Sequence, residues 1–299
     1  MKTWFREPSL PTLAVGLLLL VTACGSSPGT PVTATTSATS ATTVISTSTS
    51  PPSTAALSPP PTQESTPAQP TPKPTTHTSS PAPTASIPTS LVGHVVSRIP
   101  TSRKVVALTF DAGANGDGVN SILATLAKEK VGASFYLTGD FVNSFPSLAV
   151  RMSAAGRLGN HTADHPHLPL LTEAQVRAQV TGARTAILRV TGEDPRPLFR
   201  FPFGDSGPRD LRLVNDLGYV AVGWTVDTLG WQGTSGGRSA GSVVQRVLAA
   251  ATPGEIVLMH VGSHPTDQST LDADALPQVI AGLRAAGYGF VTLDALGAR

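Results

Sequence analysis

The sequence predicts an α/β fold for its C-terminal part, a distorted or incomplete (β/α) barrel spanning residues 98–299 with a core at about 104–293. Strand-like and helix-like patterns alternate about seven times there, which predicts a parallel sheet covered by helices. The segment is shorter than the ~250 residues of a complete (β/α) barrel, and this favours an incomplete one. Chemically competent polar residues follow several of the strand-like runs, where the mouth of a barrel would lie.

The predicted strands are short runs with strand-like patterns, of which Val105–Phe110 (VVALTF) has β-branched and aromatic residues. They are Val105–Phe110, Ala133–Leu137, Arg157–Asn160, Leu198–Arg200, Tyr219–Val222, Gly223–Val226, Glu255–Met259 and Gly289–Leu293. Helices are predicted where apolar residues recur at spacings of three and four. These are Val119–Lys130, Phe145–Ala155, Thr172–Val190, Pro208–Leu217, Ser239–Ala251 and Leu271–Ala286. Thr172 is a suitable N-cap, and Pro208 lies in a first helical turn, where proline is tolerated.

The first 23 residues resemble an export signal. Lys2 and Arg6 precede the apolar run Leu13–Val21, which is too short to span a membrane comfortably. Val21–Cys24 (VTAC) resembles a bacterial lipobox, in which the cysteine becomes lipid-modified after cleavage. Since Cys24 is the only cysteine, an internal disulfide and a catalytic thiol elsewhere are both excluded. We expect lipidation at Cys24; the alternative is an ordinary signal peptide with an incidental cysteine.

Residues 24–97 form a predicted linker of Ser, Thr, Pro and Ala. Between residues 25 and 97 there is no aromatic residue, and only Glu64 and Lys73 carry charge. Such a segment cannot bury enough apolar surface to offset the entropy of ordering it, so we expect it to be disordered. We interpret it as a tether that holds the domain away from a membrane; the alternative is a spacer with no required reach.

The charge of the domain is balanced. From Lys104 onward there are 16 lysines and arginines against 17 aspartates and glutamates, so this part carries −1 while the whole chain carries +2. No cluster of basic residues interleaved with aromatics occurs there. This argues against a nucleic-acid partner.

Five polar residues lie at the ends of predicted strands. In a (β/α) barrel all five would meet at the C-terminal mouth, where active sites lie. Packing alone does not explain five chemically competent residues at such positions. They are Asp111, His161, Arg200, Asp227 and His260.

His161 and His165 are four residues apart in the segment HTADH. On a helical turn, residues at this spacing face the same side and can bind one metal ion. The alternative is a pair of loop histidines with purely structural partners. His167 is interpreted as a surface loop residue and Tyr136 as a core residue.

Five motifs in order resemble those of the NodB-type polysaccharide deacetylases, carbohydrate esterase family 4. The family's motifs are TFDDG, H-S/T-x-x-H, R-x-P-aromatic, D-x-x-D-W and L-x-H, and the matches extend over about residues 105–292. Each motif alone is weak, and the ordered set carries the resemblance. The matching segments are Thr109–Gly113 (TFDAG), His161–His165 (HTADH), Arg200–Phe203 (RFPF), Asp227–Trp231 (DTLGW) and Leu258–His260 (LMH).

The resemblance implies a catalytic role for four of these residues. Asp111 would be the general base that activates a metal-bound water. His260 would be the general acid that protonates the leaving amine. Arg200 would orient Asp111, and Asp227 would support His260. Backbone N–H groups near the third motif would stabilise the oxyanion.

The resemblance also implies that His161 and His165 hold a divalent metal ion, zinc in the first instance. The family's third ligand is the second Asp of TFDDG, and the sequence has Ala112 there. Three explanations stay open: another group supplies the ligand, the ion is bound weakly by two histidines, or catalysis has been lost. The candidate replacements are Asp117, Asp140, Asp164 and a water molecule.

The fourth motif departs as well, because Gly230 stands where the family has its second Asp. This weakens the case for Asp227 as the partner of His260. The glycine-rich segment Gly233–Gly237 is interpreted as a rim loop, since no strand-GxxxxGK-helix context accompanies it.

The sequence therefore predicts a hydrolase that removes N-acetyl groups from an extracellular polysaccharide, with cell-wall peptidoglycan as the leading substrate. We expect a monomer that lies outside the cytoplasm, anchored to the membrane by lipid and facing the cell wall. Two alternatives are a catalytically inactive glycan-binding module on the same fold and a metal-independent amide hydrolase.

Overall fold

Parallel strands form one sheet in the computed structural model, which describes residues 87–296. The strands are β1 (Val105–Ala112), β2 (Ala133–Leu137), β3 (Gly156–Asn160), β4 (Leu198–Phe199), β5 (Val220–Ala221), β6 (Val226–Asp227), β7 (Glu255–His260) and β8 (Gly289–Phe290). Their order is β5-β4-β3-β2-β1-β7-β6, and β8 pairs with the first residues of β1. All eight residues of β1 are buried, as expected for a central parallel strand covered on both faces.

Within residues 87–296 the sheet does not close, because β5 and β6 are not paired with each other. The segment ahead of β1 hydrogen-bonds on both sides: Val96 N donates to Ala221 O in β5, and Ile99 N donates to Gly254 O just before β7, each at 2.8 Å. Leu91, Val96 and Ile99 are buried. The architecture is a half-barrel of parallel strands with helices outside, which confirms the predicted incomplete (β/α) barrel.

Helices connect the strands. They are α1 (Val119–Glu129), α2 (Gly139–Ser144), α3 (Pro146–Ala155), α4 (Glu173–Thr191), α5 (Pro208–Asp216), α6 (Ala240–Ala250) and α7 (Leu271–Ala285). Thr172 caps α4 in a capping box with Gln175, as its sequence position predicts. Only α2 has no sequence counterpart, since six residues are too few for a helical periodicity.

Alternate residues of β1 face two different layers. Phe110 and Ala112 pack in the larger hydrophobic cluster, among residues of the helices. Ala107 packs in a second cluster with Tyr136 of β2. Asp111 shares the face of Ala107, so its side chain and that of Ala112 lie on opposite faces of the strand.

The predicted export signal, the lipidation site Cys24 and the linker up to residue 86 lie outside the described residues. Between residues 87 and 296, no helix has the length and apolar character needed to cross a membrane.

Candidate active site

The C-terminal ends of five strands place polar side chains at one mouth of the half-barrel. Asp111 lies at the end of β1, His161 follows β3, Arg200 follows β4, Asp227 ends β6 and His260 ends β7. A cavity of about 660 Å³ opens there and is lined by all of these except Arg200, which is fully buried. The fold therefore brings the five residues to one place, as the barrel pattern predicts.

Arg200 is the most enclosed charged group of this site. Its Nη1 donates to Asp111 Oδ1 at 2.7 Å, its Nε to Val222 O at 3.3 Å and its Nη2 to Gly223 O at 3.1 Å. The guanidinium carbon lies 4.1 Å from the ring centre of Tyr136, within cation–π distance. Tyr136 is a core residue, as predicted. The planar fork of an arginine fits this set of acceptors, which a lysine could not satisfy together.

Asp111 is held as a carboxylate. Its side chain is nearly buried, and burial alone would raise its pKa. The Arg200 guanidinium, which also donates a hydrogen bond to the carboxylate, leads the effects that outweigh burial and hold the pKa of Asp111 below its usual value. An ionised carboxylate at the wall of the cavity can accept a proton.

His161 is oriented from both of its ring nitrogens. Its Nδ1 lies 2.9 Å from Arg200 O, and because a carbonyl only accepts, this nitrogen carries the proton. Its Nε2 lies 3.3 Å from Asp111 Oδ2. Burial lowers the pKa of His161, which keeps the ring neutral. In this tautomer the Nε2 lone pair and a carboxylate oxygen face one another.

His165 lies against His161, with ring centres 4.7 Å apart. The predicted helical turn is wrong: residues 161–165 form a loop in which Thr162 and His165 have φ of 70° and 63°. Thr162 Oγ1 accepts from His165 N at 3.1 Å, and Asn160 Oδ1 accepts from Thr162 N at 2.9 Å. Burial lowers the pKa of His165 to about 4, so both imidazoles are neutral at pH 7.

The neutral pair has the chemistry of metal ligands. A histidine that binds a metal usually donates its other N–H to a carbonyl or carboxylate, as His161 does to Arg200 O. A cation near His161 Nε2 would also relieve the repulsion between that lone pair and Asp111. The donor set fits a divalent ion bound through two imidazoles, rather than the three protein ligands usual for catalytic zinc.

A third protein ligand is not in place among residues 87–296, where no three His, Cys, Asp or Glu side chains are grouped as a metal site. Ala112 is fully buried in the larger hydrophobic cluster. Asp140 and Asp164 line the cavity without completing such a group. Asp117 accepts a hydrogen bond from Ser263 Oγ instead.

Asp227, which the resemblance implies as a support of His260, has its hydrogen bonds elsewhere. Asp227 Oδ1 accepts from Leu229 N at 2.8 Å, and Oδ2 accepts from Trp231 Nε1 at 3.3 Å. Asp227 therefore acts on His260 only as a nearby charge.

Asp272 is the carboxylate closest to His260. Its Oδ2 accepts from His260 N at 2.7 Å and lies 3.7 Å from His260 Nδ1. Burial alone would lower the pKa of His260, but Asp272, with Asp111 and Asp227, raises it above its usual value. Asp272 is not among the residues predicted from the sequence, because an acidic residue in the first turn of a helix is ordinary.

Two aromatic side chains stand exposed beside the cavity. Phe203 is 58% exposed and Trp231 is 49% exposed, and both line the cavity. His167, the predicted surface residue, is about half exposed and stacks on Phe203 with ring centres 3.9 Å apart. Flat apolar rings at the edge of a cleft that contains carboxylates and imidazoles suit the faces of sugar rings.

Comparison with known proteins identifies relatives of this domain. The family model described as polysaccharide deacetylase matches residues 98–222. A peptidoglycan-N-acetylglucosamine deacetylase of Bacillus cereus is 32% identical over 198 residues, covering 66% of this chain and 70% of that protein.

Solved structures include both active and inactive proteins. The structure of a peptidoglycan N-acetylglucosamine deacetylase with a bound N-hydroxy benzamide has a TM-score of 0.62 and 30% identity, over 68% of this chain and 92% of that one. A carbohydrate esterase family 4 pseudoenzyme from Bacillus anthracis has a TM-score of 0.62 and 27% identity, over 68% of this chain and 69% of that one. A mutant of that pseudoenzyme is described as having restored enzymatic activity. The five ordered motifs, the half-barrel and these relatives establish that the chain belongs to the polysaccharide deacetylase family, carbohydrate esterase family 4.

Proposed function

We propose that this domain hydrolyses N-acetyl groups of an extracellular polysaccharide, with peptidoglycan as the substrate. The observation that carries the proposal is the ionised Asp111 and the half-buried His260 on the wall of one cavity, in a member of this family. The Bacillus cereus relative is named for the same reaction on peptidoglycan.

The two residues divide the proton transfers of amide hydrolysis between them. Asp111, ionised at neutral pH, takes a proton from the attacking water as the water oxygen bonds to the acetyl carbon. His260, whose pKa is raised, donates a proton to the amide nitrogen as the carbon–nitrogen bond breaks. The products are acetate and a free amine on the sugar. Arg200 keeps Asp111 ionised and aimed at the cavity throughout.

A divalent ion, with zinc as the first candidate, is part of this proposal. His161 and His165 would hold it, and when bound it would lower the pKa of water and polarise the acetyl carbonyl. Water or substrate would complete its coordination, since position 112 is Ala.

We also propose an extracytoplasmic, lipid-anchored and monomeric protein. Residues 1–23 would be removed as an export signal, Cys24 would carry the lipid, and the linker would lead to the deacetylase domain of residues 98–299. Peptidoglycan is the polymer nearest to a domain tethered in this way. Each acetyl group removed would leave a positive charge on the glycan.

A second candidate function is glycan binding without turnover. Ala112 supports it, because a catalytic zinc usually has three protein ligands. The likeness to the Bacillus anthracis pseudoenzyme supports it too. The intact pair of Asp111 and His260 favours activity.

Acetate release from peptidoglycan and from N-acetylglucosamine oligomers separates these functions. We expect the full chain to release acetate with added zinc, cobalt or nickel, and to lose this activity with chelator and in Asp111→Asn and His161→Ala. Exposed Asp216 and His94 provide the matched controls Asp216→Asn and His94→Ala. Glycan binding with no release under any metal would favour the inactive module, and release that survives chelation would overturn the metal-assisted mechanism.

A further inference from the structure

We propose that Asp272 is the positioning residue of His260 and that its carboxylate occupies the space vacated by the side chain missing at Gly230. This inference rests on the proposed deacetylase function for its catalytic meaning. The structural part of the inference, the placement of Asp272 beside His260 and Gly230, rests only on the contacts of Asp272.

Asp272 is buried in an unusual way for a residue at the start of a helix. A carboxylate in the first turn normally stays in water, where it interacts with the helix dipole. Asp272, the second residue of α7, is only 3% exposed and points at β7. Burying a carboxylate costs free energy unless it is paired or hydrogen-bonded, so a partner is required.

The available partner is His260. Asp272 Oδ2 already accepts the backbone N–H of His260 at 2.7 Å. Among the described residues, two buried polar atoms here lack a hydrogen bond: Asp272 Oδ1 and His260 Nδ1. The imidazole Nδ1 is 3.7 Å from Oδ2, so a small rotation of either side chain would make the bond. That bond would direct His260 Nε2 towards the cavity, where a proton donor is needed.

Gly230 makes room for this carboxylate. A Cβ atom at position 230 would overlap Asp272 Oδ1 and lie 2.7 Å from its Cγ. A side chain at 230 and the Asp272 carboxylate therefore exclude each other. The fourth motif has a glycine at position 230, and the carboxylate that fills the space beside it comes from Asp272 of α7.

Other charged groups also face His260, so the test has to separate the effect of Asp272 from the effects of those groups. Asp111 approaches from β1 and Asp227 from β6, and both favour the protonated imidazole, while His161 at the end of β3 is neutral. Asp272→Asn keeps the shape and an oxygen that can accept from His260 N, but removes the charge. Asp274→Asn is the matched control, because Asp274 lies in the same first turn and is exposed.

The pKa of His260 can be measured by NMR on ¹³C-histidine-labelled full chain in chelator, with its signal assigned by His260→Gln. We expect Asp272→Asn to lower this pKa by about one unit or more, and Asp274→Asn to leave it unchanged. In acetate release, Asp272→Asn should lower kcat by ~10-fold or more with little change in KM, and move the alkaline limb of the profile to lower pH.

A side chain at position 230 and the Asp272 carboxylate cannot occupy the same space, and this gives a second test. Gly230→Asp alone should weaken the fold, whereas Gly230→Asp combined with Asp272→Ser should regain stability and part of the raised pKa of His260. An unchanged His260 pKa in Asp272→Asn would overturn the positioning role. If the wild type releases no acetate, the proposed function fails, while the NMR result still decides the relationship between Asp272 and His260.

Discussion

Arg200 Nη1 donates a 2.7 Å hydrogen bond to Asp111 Oδ1, and both groups are almost completely enclosed. The carbonyl of the same arginine accepts from His161 Nδ1. Arg200 thus positions Asp111, the proposed general base, with its side chain and His161, the candidate metal ligand, with its backbone carbonyl. Substitution of the Arg200 side chain should therefore disturb Asp111 and leave the hydrogen bond to His161 in place.

Arg200→Lys should lower kcat at least ~10-fold while zinc binding is retained. A lysine cannot serve Asp111 and the carbonyls of Val222 and Gly223 together, so a buried acceptor is left unpaired. With weaker charge compensation, the pKa of Asp111 should rise and the acid limb of the pH profile should move to higher pH. Steady-state acetate release over pH measures this, with the exposed Arg212→Lys as control. An acid limb that does not move would show that Arg200 does not set the ionisation of Asp111.

His165→Ala should weaken zinc binding by ~10-fold or more, as measured by isothermal titration calorimetry on the full chain. With two imidazoles as the protein ligands, the loss of one leaves a single protein ligand. His167→Ala is the matched control, because that ring is about half exposed and packs on Phe203. Equal affinity in His165→Ala and the wild type would remove His165 from the metal site.

Ala112→Asp tests whether the side chain at position 112 faces the hydrophobic cluster or the metal site. Ala112 lies in the larger hydrophobic cluster with no exposed surface, so an unpaired carboxylate there should destabilise the fold by several kcal/mol. We expect a lower Tm in chelator, with Ala112→Ser showing a smaller loss. An undiminished Tm together with tighter zinc binding would contradict this and place position 112 in the metal site.

Sequence periodicity located the long elements because their burial repeats along the chain. The helix Thr172–Val190 was predicted within one residue of α4 at each end. A two-residue strand is too short to show an alternating pattern of buried and exposed residues. The predicted strand Gly223–Val226 therefore overlaps β6 (Val226–Asp227) only at Val226. Such short strands are defined by their hydrogen bonds to neighbouring strands, and the local sequence does not show these bonds.

The sequence predicts which residues meet at the mouth of the half-barrel better than it predicts how they are arranged there. The histidine pair was correctly brought together, but by a loop with left-handed residues at Thr162 and His165 rather than by a helical turn. Asp272 could not be found from the sequence, since its relation to Gly230 depends on a contact between residues 42 positions apart in the chain. Contacts of this kind depend on tertiary packing and leave no local pattern.

Glu255 should make the stability of the fold depend on pH. It begins β7, at the opposite end of that strand from His260, and is fully buried. Neither of its carboxyl oxygens has a hydrogen-bond partner among the described residues, and burial raises its pKa from 4.5 to about 7. The folded state therefore holds the proton more tightly than the unfolded chain does. Stability should fall as pH rises from about 4.5 and level off above about 7, with a total loss on the order of 3 kcal/mol.

Glu255→Gln removes this dependence, because the amide is neutral at every pH. Compared with the wild type, the variant should gain stability at pH 8 and little or none at pH 4. Urea unfolding of both proteins at intervals from pH 4 to pH 8 measures the difference, with the exposed Glu193→Gln as control. Since Glu255 lies away from the cavity, acetate release should be the same in both proteins at a temperature where both are folded. A stability difference that stays constant across this range would mean that Glu255 does not take up a proton on folding.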